Sequence, residues 1–281
     1  MKNTRNINSL EEYLKYYVKL DNPGYAVLVT GEWGTGKTFQ VKELISEEQR
    51  YYVSLYGIDS SENIHKSVIE SSIPTLSRLK GWGRPLGKAL TGLAKTVGFS
   101  ESSIDISGLF SKIADVYIKE RMSRNKTIIF DDLERSHLWN GKQNELLGAI
   151  NHYLEHEGFR VIVICNEDKI RQLYGDETIE QSSDWKEKLF GQTIYVTPNV
   201  KDAFDSFLKE LSEDDSKFIK SRQEIIEEVW RQSNQKSLRL LRYIIKDIAR
   251  LKNTLKSSYF SNNEAINHIV RFFAFLILKY E

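Results

Sequence analysis

Residues 31–38 read GEWGTGKT, inside the longer stretch GYAVLVTGEWGTGKTFQVKEL at positions 24–44. Gly31, Gly36, Lys37 and Thr38 satisfy the spacing G-x-x-x-x-G-K-[ST]. A β-prone run precedes the loop and a helix-prone run follows it, the context that makes the match specific. Glycines let the backbone curl so that successive N–H groups point at phosphate oxygens, and the helix that follows adds the positive end of its dipole. Lys37 is expected to reach the β- and γ-phosphates and the Thr38 hydroxyl to ligate Mg²⁺. The nucleotide-binding segment is therefore expected to comprise Gly31, Glu32, Trp33, Gly34, Thr35, Gly36, Lys37, Thr38 and Phe39.

A phosphate loop needs an acid from another strand to hold Mg²⁺. TIIFDDLER, residues 127–135, supplies it: an apolar run leads into Asp131 and Asp132. Asp131 is the expected magnesium acid, and 94 positions separate it from Lys37 (131 − 37), so only folding can join them. Asp132 or Glu134 is then placed to polarise an attacking water, with Asp132 favoured because it directly follows the magnesium acid. A third run, VIVICNEDKI at 161–170, ends in Asn166, whose amide suits both water and phosphate oxygen. That polar strand end suggests an extra strand between the two motif strands.

Strand-like runs are expected at Tyr25–Thr30, Tyr51–Leu55, Thr127–Phe130, Val161–Cys165 and Thr193–Val196. Most are continuously apolar, as in parallel strands buried on both faces. Helical stretches, such as Thr38–Glu47 and Gln143–His156, alternate with them, which argues an α/β sheet. Residues 9–19 read as a short amphipathic helix ahead of the first strand. Beyond Pro198 only helical patterns follow: Ala203–Leu211, Arg222–Gln232, Lys236–Leu255 and Glu264–Lys279. A boundary near 198 separates residues 1–198 from a helical domain at 199–281.

The bulk numbers agree with an ordinary globular chain. It has 281 residues, 40% hydrophobic and 28% charged, with a net charge of +1. No global basic excess advertises nucleic acid. A local one exists: Arg78, Lys80, Arg84, Lys88 and Lys95 lie in a stretch without acids, over Leu86, Leu90, Leu93 and Val97 at helical spacing. A solvated helical insertion is the default reading there; nucleic acid, anionic lipid or a protein partner is the alternative use of 78–95. The lone Cys165 excludes an intramolecular disulfide and reads as a buried small hydrophobe. The longest apolar run, Ile269–Leu278, is about half the ~20 residues a membrane span needs. No signal peptide is expected, and the reading is a cytoplasmic chain.

Together GEWGTGKT, YYVSLYGIDSSENI, IIFDDLER, VICNEDKI and DWKEKLFGQTIYVTP resemble the KAP family of P-loop NTPases, related to the STAND and AAA+ classes. Trp33 matches the family's tryptophan within the loop. Asp131, Asp132, Glu134 and Arg135 match its acidic cluster ending in arginine. Glu187, Lys188 and Pro198 match the acid–lysine stretch and proline around the fifth strand. The resemblance implies a P-loop NTPase three-layer α/β sandwich with a mostly parallel five-stranded sheet, followed by an all-helical C-terminal domain. Many members carry transmembrane helices between the second and third strands; here residues 59–125 form the insertion and contain no such span. SNQKSLRLLRY, at 233–243, falls where related NTPases place an arginine that senses γ-phosphate, making Arg239 and Arg242 candidates.

The expected activity is Mg²⁺-dependent hydrolysis of a nucleoside triphosphate. No guanine-reading N-K-x-D is present, since Asn125-Lys126-Thr127-Ile128 breaks it at the fourth position, so ATP is expected. The expected catalytic set is Lys37, Asp132, Glu134, Asn166 and Arg239. The resemblance implies a regulatory switch, in bacteria often in defence against phage, working with an effector partner or as a homo-oligomer. The rivals are a nucleotide-binding interaction module with little turnover, an AAA+-like DNA-associated ATPase, and a small-molecule kinase. His152 and His156 fit H-x-x-E-H, but no third ligand is evident, so a zinc reading is set aside.

Overall fold

The computed structural model describes residues 6–73, 116–174 and 183–280. The basic stretch 78–95 lies outside the described residues. Two compact units emerge: Met1–Gly31 with Lys37–Tyr195, and Glu32–Gly36 with Val196–Glu281.

In the first unit, among the described residues, five parallel strands form one sheet: β1 (Ala26–Thr30), β2 (Arg50–Ser54), β3 (Thr127–Asp131), β4 (Arg160–Cys165) and β5 (Phe190–Tyr195). Their order is β2-β3-β4-β1-β5. β4 thus separates the strand that feeds the loop from the strand that ends in Asp131, as the polar end at Asn166 suggested. β1, β3 and β4 are buried along their whole length, which explains their continuous apolar pattern.

The two faces divide by the two-residue alternation of strands. Leu28, Val53, Ile128, Phe130, Val161 and Val163 join the core under α3 (Ser61–Ser72) and the helix Gln143–Asn151, α4. Tyr52, Ser54, Ile129 and Asp131 face the other way, since parallel register pairs Tyr52 with Ile129 and Ser54 with Asp131. That is the side of α2 (Lys37–Leu44), whose Thr38 reaches Asp131. α4 was expected to run unbroken to His156; it passes instead into a π-turn over His152–His156, in which Glu157 N–H bonds the His152 carbonyl at 3.1 Å.

The first helix, α1 (Asn6–Tyr17), is tied to the sheet by its last residue. Tyr17 is fully buried; its hydroxyl donates to the Tyr25 carbonyl (2.7 Å) and accepts from the Val161 N–H (3.0 Å). Arg160 adds bonds to the Val18 (2.6 Å) and Leu20 (3.1 Å) carbonyls just past the helix end. β5 begins at Phe190, three residues ahead of the expected Thr193, and takes in Gly191. A Cβ there would come within 2.5 Å of the Tyr25 ring, so the ring fills the space of the missing side chain. Helices α5 (Glu167–Tyr174) and α6 (Ser183–Leu189) follow β4 and precede β5.

The second unit holds α7 (Val200–Leu208), α8 (Glu213–Lys220), α9 (Gln223–Gln232), α10 (Leu238–Thr254) and α11 (Asn263–Tyr280). Phe204, Ile226, Trp230, Leu241, Ile245, Ile248, Val270 and Ala274 share its core. α11 buries Ile266, Val270, Ala274 and Leu278, one helical face, while Phe272 and Phe275 stay exposed. No described helix is long and apolar enough to cross a membrane.

This unit also takes in the tip of the glycine loop. The Leu238 N–H, at the start of α10, donates to the Gly34 carbonyl (2.8 Å), and Lys236 pairs with Glu32 (2.5 Å). Gly34 has φ +79°, and a Cβ there would lie 2.2 Å from Ser237 Oγ and 3.0 Å from its Cα. The position therefore excludes a side chain on conformational and steric grounds together.

Two stability predictions follow from these contacts. Tyr17→Phe leaves a buried N–H and a carbonyl without their partner and is expected to lower unfolding free energy by about 1–3 kcal/mol, read from urea denaturation. Gly34→Ala is expected to destabilise by about 1–3 kcal/mol in the same measurement, and an unchanged midpoint would show that the loop tip is not held as described.

Candidate nucleotide-binding site

The first unit gathers Gly31, Lys37, Thr38, Asp131, Asp132, Glu134 and Asn166 at the carboxyl ends of β1, β3 and β4. This is the end at which open parallel α/β sheets bind ligands. Thr38 Oγ1 donates to Asp131 Oδ2 at 2.7 Å, closing the 93-residue gap between the loop and the acid. Lys37 is buried, and its Nζ donates to the Gly31 carbonyl at 2.6 Å. Burial pushes its ammonium below the usual lysine range. Glu134 opposes that shift most strongly, ahead of Cys165, Asp131 and Asp132.

Asp131 is buried and takes three hydrogen bonds: Thr38 Oγ1 and Tyr52 Oη on Oδ2, each at 2.7 Å, and the Asp132 N–H on Oδ1 at 2.8 Å. A carboxylate offers about four lone-pair directions, so about one remains. One carboxylate and one hydroxyl, both hard oxygen donors, fit Mg²⁺, which is held by few protein ligands besides phosphates. The donor set suits the ion the motif implies.

Asp132 adopts left-handed backbone (φ 59°, ψ 37°), a conformation that Asp and Asn tolerate better than most residues. Its carboxylate accepts from Ser54 Oγ at 2.8 Å and lies 3.7 Å from Arg135. The Arg135 guanidinium sits 4.0 Å from the centroid of the Tyr56 ring. These contacts brace the turn. Glu134 is buried, unlike Asp132, and it is the acid that acts most on Lys37.

The turn itself is zipped to the segment after β2. Leu55 N–H bonds the Asp131 carbonyl (2.8 Å), Gly57 N–H the Arg135 carbonyl (3.1 Å), and His137 N–H the Ile58 carbonyl (2.9 Å). Trp139, fully buried, donates from Nε1 to the Leu133 carbonyl at 2.6 Å. The stretches SLYGI and DDLER are thus two sides of one paired structure.

Asn166 is buried, and its Oδ1 accepts the Lys169 N–H at 3.2 Å at the start of α5. That fixes which end of the amide faces the helix and leaves the NH₂ group as donor on the other side. Cys165 is buried beside Thr30, and burial pushes its thiol far above the usual range, so it is a packing residue as expected.

Of the remaining expected residues, Phe39 and Trp33 are exposed, whereas Thr35 is buried with its hydroxyl on the Glu32 carbonyl (2.9 Å). Glu32–Gly36 belong to the second unit, as does Arg239, which is exposed. Arg239 directly follows Leu238, whose N–H holds the Gly34 carbonyl. Arg242 differs: both its Nε (3.1 Å) and Nη2 (2.7 Å) engage Glu210. The His152 and His156 rings lie 5.7 Å apart beside His65, whose Nδ1 meets the Tyr153 hydroxyl at 2.7 Å. No group of three His, Cys, Asp or Glu among the described residues is placed to hold a metal.

Sequence reasoning missed Tyr52, Ser54 and Glu167. Tyr52 and Ser54 read as ordinary strand residues in YYVSL, and no spacing rule distinguishes a packing tyrosine from one that anchors an acid. Glu167 is buried against Lys186 and accepts from the Tyr195 hydroxyl at 3.2 Å.

Comparison with known proteins bears on the fold and the family. A search of the curated proteins finds no significant match. Among solved structures, the chain is similar to Cdc6p from Pyrobaculum aerophilum, with a TM-score of 0.53 and 14% identity over 90% of this chain and 63% of that one. It also aligns with domain III of the Thermotoga maritima replication initiation protein DnaA, at a TM-score of 0.45 and 17% identity over 97% and 91%. At such identities the Cdc6p likeness speaks for the fold alone. The KAP family P-loop domain matches residues 5–83 and 55–255, which is most of the chain and spans both motif strands. The chain belongs to the KAP family of P-loop NTPases.

Proposed function

We propose that the chain hydrolyses ATP with Mg²⁺ and acts as a nucleotide-dependent switch. The observation that carries this reading is the 2.7 Å bond from Thr38 Oγ1 to Asp131 Oδ2, which brings the loop hydroxyl and the strand acid to one point. Lys37 and the loop amides bind the β- and γ-phosphates and hold charge that grows on the transferring group. Thr38 and Asp131 hold Mg²⁺, which when bound supplies positive charge against the phosphate oxygens. Asn166 presents its NH₂ to the γ-phosphate or to the water, with its oxygen held by α5.

Between the two acids first considered as base, we assign the role to Glu134. It is buried and acts most strongly on Lys37, the residue expected at the γ-phosphate. Asp132 is partly exposed and spends its carboxylate on Ser54 and the neighbouring Arg135. On the family likeness, Arg239 is the γ-phosphate-sensing arginine in this reading; Arg242 is engaged by Glu210. Support for a switch is that Glu32–Gly36 share a compact unit with α10 and contact Lys236 and Leu238.

Phosphate release by the whole chain, at several protein concentrations, tests the scheme. Lys37→Ala is expected to abolish nucleotide binding. Glu134→Gln should keep binding and lose about 100-fold or more in turnover, while Asp132→Asn stays within a few-fold of wild type. Loss confined to Asp132→Asn would reverse the assignment. A chain that binds ATP but releases no phosphate at any concentration is the non-hydrolytic module instead, and turnover per molecule that rises with concentration identifies a homo-oligomer. A role in defence against phage rests on family likeness; fewer plaques on bacteria carrying the chain than on those carrying Lys37→Ala is the expected result, and equal counts would refute it.

A further inference from the structure

The magnesium acid is held by more than the loop. Tyr52, on the edge strand β2, lies on the same face as Asp131 and sets its hydroxyl 2.7 Å from Asp131 Oδ2. The Tyr52 ring is held from the other side by Lys42, whose Nζ lies 3.3 Å from the ring centroid. Lys42 and Thr38 are one turn apart on α2 and so share a helix face. The same helix therefore brings Thr38 to the carboxylate and Lys42 to the tyrosine. Thr38, Asp131, Tyr52 and Lys42 form a closed frame between α2, β2 and β3.

We propose that Tyr52 is a positioning residue for the magnesium acid: its hydroxyl pins Asp131 Oδ2, so that Oδ1 is the oxygen presented to the metal ion or its water. The proposal rests on the Mg²⁺–nucleotide reading above. Its chemistry is a matter of counting. Among the described residues, Oδ2 accepts Thr38 and Tyr52, and Oδ1 accepts only the Asp132 N–H. Each oxygen has about two lone-pair directions, so the one left open lies on Oδ1. Without the phenol, Thr38 alone holds Oδ2, and the carboxyl group regains rotation about its Cβ–Cγ bond. Partners of this kind, which orient a ligand without touching the metal, govern metal affinity about as strongly as many ligands do. The arrangement also separates the roles of the two tyrosines of YYVSL. Tyr51 points into the core beside Phe159, while Tyr52 serves the site.

The test uses the whole chain and a fluorescent ATP analogue, with binding measured first in EDTA and then across a Mg²⁺ titration. Tyr52→Phe keeps the ring under Lys42 and removes only the hydroxyl. It is expected to bind the nucleotide in EDTA as wild type does, yet to need about tenfold more Mg²⁺ for the half-maximal gain in affinity. The rise in melting temperature that Mg²⁺ adds to the nucleotide complex should shrink in parallel. Lys42→Gln leaves the hydroxyl but frees the ring, and should move the Mg²⁺ midpoint the same way by a smaller factor. It serves as the second reading if Tyr52→Phe folds poorly. Midpoints that stay within about twofold of a clearly Mg²⁺-dependent wild type overturn the role of Tyr52 and leave the nucleotide reading intact. A wild type whose binding ignores Mg²⁺, or a Lys37→Ala variant that binds as wild type does, overturns the nucleotide reading and this proposal with it.

Discussion

A buried carboxyl group at the end of β3 sets the terms for the site around it. Asp131 is removed from water, and an acid so placed without partners costs several kcal/mol. Its three donors come from α2, from β2 and from the next peptide unit. Satisfying them requires the loop to deliver Thr38 at the first turn of α2. It also requires β2 to pair with β3 in the one register that sets Ser54 opposite Asp131. A slip of one residue would turn Tyr52 to the other face of the sheet and leave the acid short of a donor. Strand pairing and loop closure are thus one constraint seen from two sides.

The same economy appears just beyond the strands. The β2–β3 pairing continues into the loops as Leu55, Gly57 and His137 bond across the turn. The left-handed Asp132 lets the chain reverse there, and Trp139 closes the bend from beneath through its bond to the Leu133 carbonyl. Glu134 is carried into the interior, and Arg135 is carried out onto Tyr56. Two stretches that carry the family likeness, one after β2 and one after β3, are therefore complementary halves of a single piece of structure.

Much of this was legible in residue order. The continuous apolar runs located all five strands to within a few residues, because strands buried on both faces leave no polar phase to confuse the pattern. β5 was the exception: it begins at Phe190, three residues before the expected Thr193, and takes in Gly191, where the Tyr25 ring occupies the space of a side chain. Short helices were harder. Ser212 followed by Glu213, Asp214 and Asp215 is a helix-start signal, and Ser212 does accept the Asp215 N–H, but α8 has too few apolar residues to show a period. Cys165 was readable as a core residue, since a lone cysteine in an apolar run has little else to do. That Thr38 and Asp131 would meet was readable, because a glycine loop ending in Lys-Thr and an apolar run ending in Asp are fixed residue types, and the two bond at 2.7 Å. That Glu134 is buried and Asp132 is only partly so was not readable, because burial on a tight turn has no periodic signature.

By itself, the sequence determined the kind of chemistry and the kind of sheet. A glycine loop ending in Lys-Thr needs a strand before it and a helix after it, and an apolar run ending in Asp needs a neighbouring strand. Both are local requirements that residue types express directly. Tertiary structure alone decided which strand lies between the motif strands, which tyrosine of YYVSL serves the acid, and that Glu32–Gly36 pack with the helices after residue 196. Each of those depends on which atoms meet across tens or hundreds of residues. Backbone hydrogen bonding, register and burial settle such meetings, and no single stretch of chain carries them.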